Sequence, residues 1–94
     1  MVCGKTKSGI KYSVDEKVKD DVRLTYMISE IQRHADEPLK SMQAMGSLLG
    51  LLFQTEDNVL IFMNEVASRH DGVCSAQAML DELNEIFEAI KAKN

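Results

Sequence analysis

The chain has no tryptophan, a single proline and only two cysteines among its 94 residues. With Pro38 alone and five glycines there is no proline- or glycine-rich linker, and a disordered or low-complexity character is excluded. Cys3 and Cys74 are too few to staple a small secreted fold, so free thiols in a reducing cytoplasm are expected. Apolar runs are also short. None reaches the roughly 20 residues that span a bilayer, and Met1-Val-Cys-Gly-Lys5 lacks the apolar stretch of a secretion signal. The expectation is a soluble cytoplasmic protein with no membrane partner.

Basic residues are scarce where acids are dense. From Glu56 to Glu88 there are eight acids and one base, Arg69, whereas residues 1–12 hold Lys5, Lys7 and Lys11 and no acid. Binding a phosphate backbone needs lysine and arginine to displace counterions, so an acidic body with a net charge of −4 argues against direct nucleic-acid binding. The same acids leave open one alternative: an inhibitor that imitates nucleic acid and occupies a basic site on another protein.

What is present reads as helix. Residues 1–12 show no sustained period and are expected to be a flexible basic tail ahead of a single helical domain, 13–94. Ser13-Val-Asp-Glu16 has the form of a capping box and predicts a first helix running to about Ala35. Its apolar residues divide between a ridge of Val14, Val18, Val22 and Tyr26 and a second side with Leu24, Met27, Ile28 and Ile31. Pro38 suits the first turn of a second helix. Arg69-His70-Asp71-Gly72 then closes a helix, and Ser75 caps a last one whose stripe is Met79, Leu80, Leu83, Ile86, Phe87 and Ile90. Asp81, Glu82, Glu85 and Glu88 fall on the opposite, solvated side.

Between Pro38 and Arg69 two readings compete. Thr55-Glu-Asp-Asn58 looks like a fresh helix start, with a threonine cap and acids in the first turn. Against it, no glycine or proline lies between Leu51 and Asp71, and the apolar phase carries through from Leu39 to Val66. The preferred reading is one continuous helix, 38–69. The fold class expected is all-α: an antiparallel three-helix arrangement with a long central helix, or four shorter helices if broken near Thr55, completed as a dimeric bundle.

No catalytic, cofactor or metal site emerges. His70 and Cys74 are four apart, but Gly72 lies between them, and His34 and Cys3 are too scattered to complete a ligand set. The serines sit in no nucleophile pattern and the histidines lack a partner. Gly46-Ser-Leu-Leu-Gly50 has no strand before it and no lysine after it, so it is not a phosphate loop. An enzyme is therefore not expected; a small enzyme or metal protein around His70, Cys74 and Glu56 is the remaining alternative of that class.

The surplus is apolar. On a helix, apolar residues and glycines of the 39–53 segment fill roughly three-quarters of the circumference, more than two neighbouring helices cover. That predicts a protein–protein interaction or regulatory protein acting as a homodimer, itself the first partner and another protein the second. The interface expected comprises Met45, Gly46, Leu48, Leu49, Gly50, Leu52, Val59, Phe62, Met63 and Val66. The two glycines would give the closest backbone approach, and the methionines a deformable apolar surface.

Overall fold

Alternation governs the first fourteen residues. In Val2-Cys-Gly-Lys-Thr6 and Ile10-Lys-Tyr-Ser-Val14, every second side chain is drawn inward: Val2, Thr6, Ile10 and Val14 are buried, while Cys3, Lys5, Lys11 and Ser13 are exposed. The computed structural model describes residues 1–92, and in it this segment is an antiparallel hairpin of β1 (Val2–Lys5) and β2 (Lys11–Val14), with Val2 opposite Val14 and Lys5 opposite Lys11. The amide of Thr6 donates to Ile10 O, and that of Gly9 to Thr6 O, so Lys7-Ser8-Gly9 is a three-residue hairpin loop. Gly9 has φ +104°, which a side chain resists. The expected mobile tail is thus replaced by a strand pair that contributes Ile10 and Val14 to the core.

The expected capping box is corrected with it. Ser13 belongs to β2 and its hydroxyl faces the Cys3 thiol at 3.4 Å. The chain leaves the sheet into a 3-10 helix, Glu16–Asp20, capped by Asp15, and only then into α1 (Val22–Arg33), capped by Asp21. The Asp21 carboxylate accepts from the Arg23 amide at 2.9 Å and pairs with its guanidinium. Those bonds hold its pKa down to about 2. The supposed ridge is likewise divided. Val14 and Val18 are buried from the strand and the 3-10 turn, whereas Val22 and Tyr26 on α1 are exposed.

Pro38 opens α2 (Pro38–Phe53), and α2 ends where continuity was expected. Gln54 adopts φ +72°, its amide still bonded to Gly50 O, and Thr55 begins α3 (Glu56–Arg69) by accepting the Asn58 amide on its hydroxyl at 3.1 Å. The Asn58 side chain donates back to Phe53 O. The continuous helix 38–69 is therefore broken near Thr55, and Glu56 is an exposed first-turn carboxylate of α3. Asp71 and Gly72 turn the chain with positive φ, and the Ser75 hydroxyl accepts the Ala78 amide at the start of α4 (Ala76–Ala92). The described residues thus form a mostly helical protein with a small two-stranded sheet.

The core lies where the four α-helices meet the inner face of the hairpin. Leu48 and Leu52 of α2, Val66 of α3, and Met79, Leu83, Ile86 and Ile90 of α4 are its least accessible side chains, joined by Ile10 and Val14. Phe53 and Phe62 stack across the α2–α3 break with ring centroids 4.6 Å apart. That contact bridges the interruption between the two helices.

Candidate functional site

Six of the ten residues expected at an interface are occupied by the protein itself. Met45, Leu48, Leu49, Leu52, Phe62 and Val66 are buried in the core. Val59 and Met63 are half-buried, and Gly46 and Gly50 are exposed. A methyl group added to either glycine would meet nothing within 4 Å beyond its chain neighbours and the backbone of its own helix. Neither glycine is therefore needed for a close approach inside the chain, although each weakens a helix by about 1 kcal/mol relative to alanine.

Beside this core is an apolar groove. Met42, Met45, Gly46 and Leu49 on α2 face Val59 and Met63 on α3, and the start of α4 closes the end with Cys74 and Met79. Five of the ten expected interface residues line it: Met45, Gly46, Leu49, Val59 and Met63. The helical spacing produces the arrangement, because residues 42, 45, 46 and 49 share one side of α2 and residues 59 and 63 one side of α3. Four methionines make the walls soft and able to re-pack. The cavity is about 100 Å³. Small-molecule pockets run to roughly 300–1,000 Å³, so the space suits one inserted apolar side chain.

The groove continues onto open surface. Leu39 is 81% exposed and Met42 54%, and with Gly46 and Leu49 they follow 3- and 4-residue steps along α2. α2 carries a single charged residue, Lys40, paired with Glu37 at 3.0 Å. Cys74 is half-buried at the groove end, and burial pushes its thiol pKa up, which is the opposite of an activated nucleophile.

A second cluster has polar chemistry that sequence reasoning missed. Glu82, expected on the solvated side of α4, is buried at 2% exposure because the hairpin loop covers it. Its carboxylate accepts from Ser8 Oγ at 2.9 Å and pairs with His70 Nε2 at 2.9 Å. Burial alone would raise its pKa; bonds from Thr6, His70 and Ser8 outweigh that and hold it below the ordinary carboxylate value. One turn along, Glu85 accepts the Lys7 amide at 2.8 Å. Nucleophilic activation needs the imidazole on the serine hydroxyl. Here Ser8 and His70 instead converge on the carboxylate, so the cluster is a tether between hairpin loop, α3 end and α4.

His70, Cys74 and Glu56 are not brought to one place: His70 serves Glu82, Cys74 ends the methionine groove, and Glu56 opens α3. Among the described residues no group of three His, Cys, Asp or Glu side chains is arranged to hold a metal ion. None of the described helices is long and apolar enough to cross a membrane. Compared with known proteins, the chain matches no family model, no curated protein and no solved structure.

Proposed function

We propose that the protein is a small helical protein–protein interaction or regulatory protein, without enzymatic activity, that acts as a homodimer in the cytoplasm. One observation carries the reading: an apolar cavity sized for a single side chain, continuous with exposed Leu39 and Met42 on the same helix face. A twofold axis across α2 sets the knob of one copy against the hole of the other, the self-complementary geometry of an isologous interface. Charge favours that face over others. The protein carries −4 overall, and copies repel one another wherever acids meet, but α2 contributes no acid and one already paired lysine. Open space at Gly46 and Gly50 lets the two backbones approach.

Light scattering at low micromolar concentration tests the reading. The expected mass is twice that of the chain, falling to one with Met42→Glu or Leu39→Glu, each of which places a charge on the exposed stripe and leaves the core intact. Leu52 cannot serve this purpose, because at 2% exposure it is a core residue whose replacement by glutamate unfolds the protein. A wild-type monomer overturns the homodimer, and a dimer unaffected by both substitutions moves its interface off α2.

A further inference from the structure

Each strand of the hairpin has an outer edge without a strand partner among the described residues, and that of β2 lies next to a second groove. Among the described residues the sheet has two strands, so the far side of β2 has no strand partner there. Its hydrogen-bonding direction follows from the loop. The Thr6 amide donates to Ile10 O, which makes Thr6 and Ile10 a bonded pair; by antiparallel alternation Gly4–Tyr12 and Val2–Val14 are bonded pairs as well. Lys11 and Ser13 then direct their N–H and C=O groups away from β1. The contact between Cys3 Sγ and Ser13 Oγ agrees, since side chains approach most closely in the pairs that exchange no ladder bonds.

Along that edge runs a cavity of about 250 Å³ between β2 and α3. Lys11, Tyr12 and Ser13 form one wall, and Phe53, Ile61 and Phe62 contribute to the other together with Asn58 and Glu65, whose carboxylate is paired with Arg69 at 3.6 Å. Ile61 is 60% exposed on a helix whose neighbouring Phe62 is core. We propose that the open edge of β2 and this groove form a binding site for an extended peptide segment of a partner protein, with apolar and acidic side chains in alternation.

The alternation follows from the pleat. A strand added beside β2 sends every second side chain to the inner face, continuing Ile10, Tyr12 and Val14 toward Phe53 and Ile61. The intervening side chains join the outer face, where Cys3, Lys5, Lys11 and Ser13 are exposed. That face carries Lys5 and Lys11, opposite each other, and no acid, so acidic side chains match it. A second copy of the hairpin is a poor occupant for the same reason: it would bring lysine-bearing strands of like charge together. The site shares no lining residue with the methionine groove, meets α2 only at its last residue, Phe53, and does not depend on the dimer.

The probe is a capped heptapeptide of alternating valine and glutamate, followed by amide hydrogen exchange and NMR shifts on the full chain. Slowed exchange at the Lys11 and Ser13 amides, with shifts at Ile61, is the expected result, and the binding should weaken as salt is raised. Ser13→Pro removes one outward donor at an edge position where proline is tolerated, and should weaken binding about tenfold. Ile61→Glu should do the same, as should N-methylation of the peptide's β2-facing amides, which leaves the protein untouched. Met42→Glu should leave peptide binding unchanged. The proposal is overturned by shifts confined to α2, by equal affinity for the N-methylated peptide, or by protection of Lys11 and Ser13 already present in the free wild-type protein and lost on dilution.

Discussion

The junction between hairpin and α4 and the groove between α2 and α3 solve opposite problems with opposite chemistry. At the junction a carboxylate is taken out of water, and Ser8, Thr6 and His70 converge on it; among the described residues no buried side-chain polar atom lacks a partner. At the groove, apolar side chains that the chain itself does not cover stand open around a cavity of about 100 Å³. A buried carboxylate without partners costs several kcal/mol, so the polar junction tolerates no gap. An uncovered methionine or leucine costs far less, and the surface cost is recovered whenever another molecule arrives. Of the two, the closed region holds the fold together and the open region is left uncovered by the chain.

The largest effect should separate the two faces of α2 itself. Leu48→Ala removes a side chain at 1% exposure and should cost about 2–5 kcal/mol in a urea melt. Leu39→Ala, on the exposed face of the same helix, should change monomer stability by less than about 0.5 kcal/mol. Equal losses at both positions would erase the distinction between filled and open faces.

Next is the junction. Glu82→Ala removes the carboxylate that the Ser8 hydroxyl and the His70 imidazole share, leaving Ser8 only its contact with the Thr6 hydroxyl, and should cost about 1–3 kcal/mol. The wild-type protein should also lose stability in acid. Glu82 is held below its ordinary value of 4.5, so it stabilises the fold fully above that pH and progressively less as pH falls through its folded value. Asp21, at about 2, adds a loss of the same sign that extends lower. Melting temperatures measured from pH 6 downward should fall less steeply in Glu82→Ala than in the wild type.

These regions were not equally legible in the sequence. Pro38, Gly72 and Ser75 mark helix ends by local chemistry alone, and each does so in the structure. The break at Thr55 was legible as a cap, but the apolar phase concealed it. Gln54 turns the chain in one residue without glycine, and both helices still face one core, so the pattern reads through the interruption. The hairpin was hidden by brevity. Ile10-Lys-Tyr-Ser-Val14 does alternate, yet four-residue strands give little period to detect, and Ser13-Val-Asp-Glu16 offered a competing capping box. Gly4 lies beneath the Tyr12 ring, where an added Cβ would come within 2.6 Å of the phenol oxygen, a contact no local pattern announces. Burial of Glu82 follows only once the hairpin is placed over α4. No local pattern on α4 contains it.

The α2–α3 break supplies a smaller and signed test. Thr55→Ala should cost about 1 kcal/mol by removing the acceptor for the Asn58 amide. Gln54→Gly should stabilise by a comparable amount, about 1 kcal/mol, because glycine enters a left-handed conformation that a side chain resists. In a continuous helix the same glycine would destabilise. Circular dichroism melts of the two variants therefore read the path of the backbone directly.

The smallest effect bears most on function, because its sign depends on whether the open face is used. Gly46 sits inside α2, where alanine is better by about 1 kcal/mol, and in the isolated chain the added methyl meets nothing within 4 Å beyond its chain neighbours and the backbone of its own helix. As a monomer, Gly46→Ala should be slightly more stable than the wild type. In the proposed dimer, the methyl would occupy the gap through which the two backbones approach, at the rim of the methionine groove that Gly46 lines. Unfolding at a concentration far below the dimer dissociation constant should show the gain, and sedimentation at higher concentration should show weaker association. A gain in both would mean that nothing docks closely at Gly46, and the interface would then lie farther along the stripe toward Leu39.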